Sequence, residues 1–573
     1  MSSVRPVAEN SCVSHWQATN RGRDALYGHN DGLTSPITAG IIDNTATTNG
    51  PVLEEIPEEA DIVIVGGGTM GASLAYFLTR QGAMEAGKKV VVLEARDVAS
   101  GASGRNGVSG RFCLIPELLL ESEAVKDVST TREEGHVGPS TTGGYIMHQK
   151  PIGQGGSGVS SDEAIKIIQS ERENLELITK VIKDEELDVD FWRGYLCEVH
   201  ESQKSSDAHV AAYHRWLAAR EECAVKGDHD TRLITDSEEA KKVSRFDHAV
   251  SCQLRPAASV HSHRLCSALM RKAITSPHAS CQLFTFAPVT SYNKAEDGRW
   301  DVHVEHGGAG KAIKAGKVVL CTNAYTKNFF KEDDEEEGLL HSHIRPAYAQ
   351  CSLITPTRTY SGQRALQYTY NMDGDFYLVQ TPGGGMVLGG WDMPVLQGRQ
   401  VKQWHRVGNE DNSSVMAVWT KCKYLLANYC RTRFAGWGKE MAGEGATRTW
   451  SGLMTDSKDA LPLVGEVPGK EGMYLSAGFH GHGQVSNVDQ MITTIVLTIV
   501  SYGQSRIFII AKGLAENLLR TGEWPASLPT SFMLTQERLE KSRHVRQVMD
   551  VYTEMSAEEE MDVKVQVEGM LRD

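Results

Sequence analysis

The stretch "DIVIVGGGTMGASLAYFLTRQG" (residues 61–82) decides the fold. Ile62 to Val65 make an apolar run of strand length, and Leu74, Phe77 and Leu78 recur at helical spacing beyond the glycines. Gly66, Gly68 and Gly71 supply the pattern GxGxxG at the joint, around Thr69 and Met70. The first glycine permits a tight turn, the second lets backbone approach a pyrophosphate, and the third allows close helix packing. The helix N-terminus then faces the phosphates. "KKVVVLEA" (residues 88–95) follows as a second buried strand ending at Glu94, where a carboxylate can bond ribose hydroxyls; Ala95 and Arg96 come next. The distance from the glycines to Glu94 is longer than usual because "QGAMEAGKK" lengthens the connection. Strand, glycine turn, helix and strand together predict a dinucleotide-binding unit.

Outward from this unit, 573 residues exceed what one growing core accommodates and predict two connected domains. The 55 glycines cluster in short runs, as expected where backbone turns sharply or approaches a ligand. A net charge of −14 without a long basic run argues against a nucleic-acid-binding surface, which needs concentrated Lys and Arg. Eleven cysteines without paired CxxC spacing, and an N-terminus lacking an apolar signal core, predict a reducing compartment, with the cytoplasm as the default location. The apolar run "MITTIVLTIVSY" (residues 491–502) is shorter than the ~20 residues a membrane span needs, so no membrane partner is expected.

Residues 1–57 are polar and weakly periodic and read as an extended N-terminal arm. Amphipathic helices are predicted over "DEAIKIIQSERENLELITKVIKD" and "DAHVAAYHRWLAAREECAVKG", and strands over "RWDVHVEH", "YLVQTPGGGMVLGGW" and "GKVVLCTNAYT". A parallel-strand pattern returns at "GMYLSAGFHGHG" (residues 472–483), so the first domain is discontinuous.

"EARDVASGASGRNG" (residues 94–107), "VVLCTNAYT" and "LPLVGEVPGKEGMYLSAGFHGHG" resemble the D-amino-acid oxidase-like family of FAD-dependent oxidoreductases. The likeness is strongest to fungal members similar to glycine, sarcosine and gamma-glutamylputrescine oxidases, and covers roughly residues 58–545. "SHWQATN", around Trp16, looks like the arm that precedes the dinucleotide fold in fungal members. The resemblance implies an α/β (α+β mixed) architecture: a Rossmann-like FAD-binding domain (residues 58–150, 250–345 and 440–545) and a mixed-sheet substrate domain (151–249 and 346–439), with an acidic tail over 546–573. It implies that Ser103, Gly104, Arg105, Asn106 and Gly107 wrap the pyrophosphate and flavin, and that the Val289 backbone in "TFAPVTSYN" meets the adenine. Thr322 and Asn323 join the cofactor set, and Gly478, Phe479, His480, Gly481, His482 and Gly483 form the loop toward the flavin pyrimidine ring.

Two interruptions depart from the family pattern. Removing residues 108–134 restores "GASGRNGGHVGPS", and removing 485–504 restores "GFHGHGQSRIFIIAKGLAENLL". Both segments start with Val-Ser, and one ends in Glu and the other in Gln. Val codons begin with GT, and Glu and Gln codons can end in AG, so both have the boundaries of an unspliced intron translated in frame. The alternative is a pair of genuine surface insertions, which long loops tolerate thermodynamically.

The family reaction is oxidation of an amine at the carbon next to nitrogen, with a small-molecule amine or amino acid as substrate and oxygen or another electron acceptor completing the cycle. Arg345 in "HIRPAYAQ" and Arg448 in "TRTWSGL" are candidates to pair with a substrate carboxylate, since a guanidinium binds one bidentately. A structural ion pair is the alternative for each. Tyr377 and Gln380 in "DFYLVQ" are candidates to face the flavin, and His480 and His482 to bond flavin or substrate. Those two histidines lack further ligands nearby, so no metal is expected. The motif "WSGLMTDSKDALPLVG" carries Leu453-Met454-Thr455 and no Cys, which predicts noncovalent FAD, with His136 the open alternative. Two other functional readings stay open: an FAD enzyme acting on a non-amine metabolite, and an inactive chain whose flavin loops are broken by the insertions.

Overall fold

A computed structural model of the chain describes residues 13–20, 26–27, 29–30, 54–85, 87–105, 136–137, 139–152, 156–225, 229–372, 376–381, 383–389, 420–479, 503–520 and 523–545. Its strands, in chain order, are β1 (Glu59–Val65), β2 (Lys89–Leu93), β3 (His136–Val137), β4 (Trp192–His200), β5 (Arg232–Ile234), β6 (Ser251–Ser259), β7 (Ser280–Phe284), β8 (Val289–Lys294), β9 (Trp300–His306), β10 (Ala309–Leu320), β11 (Ile344–Thr355), β12 (Thr369–Met372), β13 (Phe376–Gln380), β14 (Met386–Gly389), β15 (Gly445–Ser457), β16 (Leu463–Glu466) and β17 (Met473–Ala477).

The apolar run of β1 is buried on both faces, as a central parallel strand must be. It pairs in parallel with β2 and β10; β7 extends the β2 side and β17 the β10 side. The parallel core therefore runs β7-β2-β1-β10-β17, which in chain order is 3-2-1-4-5, the doubly wound arrangement. Its chain order reverses between β1 and β10, and ligands bind at such a switch point, beyond the carboxyl ends of the strands. Helices Thr69–Leu78, Ser262–Ile274 and Gly503–Leu519 cover one face through Leu74, Leu269 and Ile510. Val63, Val91, Val302 and Leu320 close the other.

The second sheet runs β15-β11-β14-β13-β12-β4-β6-β3, with β5 beside β6. All of its pairs are antiparallel except β12 with β4. Three of its strands, β3, β6 and β15, fall in stretches assigned from sequence to the cofactor domain, because the chain passes between the sheets more often than strand patterns reveal. The rear face packs on Leu378, Leu388, Tyr370, Phe434 and Trp437.

Two local differences from the sequence reading have simple causes. The arm contains a short helix, His15–Thr19, closed by reciprocal bonds in which the Gln17 N–H donates to Ser14 Oγ and the Ser14 N–H to Gln17 Oε1, both at 3.0 Å. So short a helix leaves no periodicity to detect; Trp16 is held by burial. Strand β10 begins at Ala309, well before "GKVVL", because its polar first half pairs with β9.

Candidate functional site

The glycine turn lies at the switch point. Gly66 has φ +109°, and a Cβ there would stand 2.7 Å from the Cys321 carbonyl oxygen at the end of β10. A Cβ on Gly71 would stand 1.9 Å from the Gly66 carbonyl oxygen, and one on Gly68 would stand 2.9 Å from Ser103 Oγ. Only glycine permits this cradle. The Thr69 N–H, at the helix N-terminus, donates to Ser103 Oγ at 2.8 Å, which brings together two of the groups predicted for the pyrophosphate.

Glu94 follows β2 directly. Its carboxylate accepts the Gly67 N–H at 2.6 Å and the Arg96 N–H at 2.9 Å, fixing the acid beside the turn. Burial pushes this carboxyl up, against the pull of Arg96 and the two amides. The Arg96 guanidinium lies 5.8 Å from the centre of the Tyr325 ring. The Phe286 and Ala287 N–H groups donate to the carbonyls of Arg96 and Glu94, so Val289 enters next to this segment. A Glu94→Ala variant is expected to bind FAD about 10- to 100-fold more weakly, the loss of hydrogen bonds to a charged group. Flavin-fluorescence titration of the apoprotein measures this.

Ser103, Gly104 and Arg105 close the turn Ala102–Gly104. Gly104 is hemmed in by the Ala99 carbonyl and His263. Arg105 is buried; its Nε donates to the Ser100 carbonyl at 3.1 Å and its Nη1 to the Ser451 carbonyl at 3.2 Å. Trp450 Nε1 donates to the Arg105 carbonyl at 3.2 Å, so this arginine clamps the cofactor turn to β15.

The arm reinforces the clamp. Ser14 Oγ donates to the Gly104 carbonyl, and Gln17 Nε2 to the Ser100 carbonyl at 3.2 Å. Thr19 Oγ1 bonds His261 Nε2 at 2.9 Å, and Asn20 Nδ2 bonds His263 Nδ1 at 2.7 Å. Burial, helped by Arg264, lowers His261 to about 3, so the imidazole is neutral at physiological pH. Trp16 packs with Cys351, Tyr377 and Trp450 on the front face of the second sheet. His261, His263 and Asn20 were missed in the sequence reading, since nothing local ties them to the glycine turn.

Thr322 and Asn323 lie at the end of β10, where Asn323 Oδ1 accepts the Gly478 N–H at 3.1 Å and the Phe479 N–H at 3.5 Å. Gly478, at φ +73°, starts the loop after β17 in the left-handed region. Asn106, Gly107, His480, Gly481, His482 and Gly483 lie outside the described residues, as do 108–134 and 485–502.

Tyr377 is fully buried on the front face of the second sheet. Arg448 stands two residues before Trp450 and its Nη1 donates to the Ser14 carbonyl at 3.2 Å, an anchor for the arm. Arg345 lies six residues before Cys351 on β11, ~20 Å along the strand. Gln380 Nε2 donates to the Tyr368 carbonyl at 2.8 Å.

Among the described residues, Glu198, His200 and His209 hold donor atoms within 4.8 Å of one another. Arg255 Nε lies 3.7 Å from Glu198 Oε2 and His209 Nδ1 lies 3.7 Å from Glu198 Oε1. A fixed guanidinium beside the only carboxylate opposes a cation there, so these groups read as a buried ionic network.

The fold and site define a class: a glycine cradle and a fixed acid at the switch point of a parallel sheet, tied through Arg105 to a second, mixed sheet. A family model described as "FAD dependent oxidoreductase" (DAO) matches residues 61–486, and the chain belongs to that family. It is an FAD-dependent oxidoreductase, and the glycine cradle, Glu94 and the Ser103–Arg105 turn fit an FAD pyrophosphate and ribose.

Solved structures share the fold. Glycine oxidase from Geobacillus kaustophilus aligns over 84% of this chain and 99% of its own, with 15% identity and a TM-score of 0.53. L-Amino acid deaminase from Proteus myxofaciens, in complex with anthranilate, aligns over 84% and 94%, with 15% identity and a TM-score of 0.56. L-alpha-Glycerophosphate oxidase from Mycoplasma pneumoniae, with FAD bound, aligns over 81% and 95%, with 13% identity and a TM-score of 0.52. A comparison with curated proteins gave no match. Among the described residues, no helix is long and apolar enough to cross a membrane.

Proposed function

We propose that this enzyme oxidises the C–N bond of a small amino acid or amine. The carrying observation is the clamp through Arg105 and Trp450, which sets the cofactor turn against one face of a second sheet bearing Tyr377 and further buried polar groups. The likeness to glycine oxidase and L-amino acid deaminase supports a nitrogen-bearing substrate.

FAD, when bound, accepts a hydride from the carbon next to the substrate nitrogen. The nitrogen also loses a proton, and the resulting imine takes up water to give a carbonyl compound and a free amine or ammonia. Oxygen, released as hydrogen peroxide, or another acceptor completes the cycle. The work of this chain is positional. The glycine turn and Glu94 hold the nucleotide end, the Asn323 bonds hold the loop at Gly478, and Trp16, Tyr377 and Trp450 exclude water from the front face. Beside the glycine turn, Cys266 Sγ lies 3.1 Å from Thr69 Oγ1. Burial pushes its thiol up to about 12, so it stays protonated.

The test is a visible spectrum of the exhaustively exchanged 573-residue protein, followed by a panel of amino acids and amines read as flavin bleaching under anaerobic conditions. Retained flavin that an amino acid or amine bleaches is the expected result. Peroxide release in air then separates an oxidase from a dehydrogenase. A flavoprotein bleached only by a hydroxy compound would favour the second reading, which the likeness to glycerophosphate oxidase supports. A colourless chain that gains flavin on deletion of 108–134 and 485–504 would assign the activity to the shorter form.

A further inference from the structure

One row of residues crosses the second sheet at right angles to its strands. Strand register places Trp450 opposite Cys351, Cys351 opposite Gly389, and Gly389 opposite Tyr377. The row continues from Tyr377 to Asn371, from Asn371 to Glu198, and from Glu198 to Gln253. Side chains of paired residues share a face, so the row lies on the front of the sheet, where Trp16, Cys351, Tyr377 and Trp450 form one cluster. Tyr370 and Met372 point into the rear core, which leaves Thr369 and Asn371 on the front.

The cofactor turn meets this face at one edge, and β3 closes the opposite edge. Arg105 is bonded to Trp450 on β15, and β3 pairs His136 and Val137 with Ser259 and Ala258 of β6. Between those edges, Asn371 is 2% exposed and Thr369 is fully buried. Neither Asn371 Nδ2, nor Asn371 Oδ1, nor Thr369 Oγ1 has a hydrogen-bond partner among the described residues. Buried polar groups are nearly always satisfied, and a primary amide with both functions unmet is costly. Two such side chains at alternate positions of one strand, on the face that meets the cofactor turn, point to a ligand.

We propose that Asn371 and Thr369 bind the polar head of the substrate, and that this head belongs to an amino acid and not a simple amine. The reading rests on the proposed C–N oxidation. An unmet Nδ2 and hydroxyl donate to a carboxylate, whereas an unmet Oδ1 accepts from an amino group; an amino acid presents both, and an amine leaves the donors unmet. Glu198, next in the row, is already flanked by Arg255 and His209, so that end of the strip is close to neutral overall and favours a zwitterion over a cation.

The variant is Asn371→Leu, which keeps the branched heavy-atom skeleton and removes both polar functions. Its melting temperature without ligand should equal or exceed that of the parent, since an apolar isostere removes an unmet buried amide. KM for the amino acid oxidised by the parent should rise about 10- to 100-fold, with a smaller change in kcat and full flavin retention. Thermal shift with a mixture of the protein amino acids, set against their decarboxylated amines, reads binding without turnover. The parent should respond to the acids, and the variant should lose that response. A lower melting temperature with unchanged KM and thermal shift would overturn the proposal in favour of a structural role. Loss of flavin with unchanged substrate response would overturn it in favour of a contact to the flavin. If no C–N compound is oxidised but the acid-specific shift is present and lost in the variant, the site stands and the reaction assignment fails. If the parent shows no acid-specific shift, the site fails whatever the reaction.

Discussion

Gly71→Ala is expected to purify without flavin. The added Cβ would stand 1.9 Å from the Gly66 carbonyl oxygen, which belongs to backbone that has no room to retreat. Gly66 is itself held at φ +109° against the end of β10, so the turn must open to relieve the contact. Overpacking of this kind costs about 1–3 kcal/mol, and here the cost falls on the backbone that faces the pyrophosphate. FAD affinity should fall about 5- to 150-fold. The absorbance ratio of flavin to protein after exchange measures it. Gly383→Ala is the control: a Cβ there meets nothing within 4 Å, and that variant should keep its colour. Equal flavin content in the two variants would remove the glycine turn from the cofactor site.

Asp459→Ala is expected to destabilise the protein by about 3–5 kcal/mol, because it strands a buried cation. Asp459 is almost fully buried; it accepts from Arg538 Nη2 at 2.9 Å and bonds His343 Nε2 at 3.3 Å. Arg538 also donates to the carbonyls of Leu461 and Pro462, both at 2.9 Å, so the network pins the turn leading into β16. Urea denaturation read by tryptophan fluorescence gives the difference. A loss under about 1 kcal/mol would show the pair to behave like an exposed one.

The same network sets an acid limit. Burial opposes ionisation of Asp459, but Arg538 and then His343 outweigh it and hold the carboxyl well below the usual carboxylate range. Its stabilising contribution is complete above the unfolded value of about 3.9 and is lost as pH falls toward the lower folded value. Burial also lowers His343 despite the pull of Asp459. Stability should therefore begin to decline below about pH 6.5, where the unfolded chain takes up the proton that buried His343 resists. A pH series of urea midpoints on the parent and on Asp459→Ala separates the two contributions: the steep loss near pH 4 should vanish in the variant.

How far the site can be read from sequence depends on chain distance. Gly66, Gly71 and Glu94 lie within one strand-turn-helix-strand unit, where local spacing implies three-dimensional contact. Asn323 and Gly478 were named through family resemblance, and their hydrogen bond joins positions 155 residues apart. Asn371 and Thr369 carried no signal, because a strand of four residues such as β12 shows neither which face is the front nor which strands flank it.

The linear sequence by itself determined the class of cofactor: a glycine pattern at a strand-helix joint works through backbone geometry, and that geometry is local. It also determined which strands are central, since burial on both faces demands an unbroken apolar run. Only the tertiary structure decided what surrounds the cofactor turn. Arg105 reaching Ser451, Trp16 reaching Trp450, and the row from Tyr377 through Asn371 to Glu198 depend on strand register between distant segments. That register is chosen by packing of the whole sheet, so no single stretch of the chain encodes it.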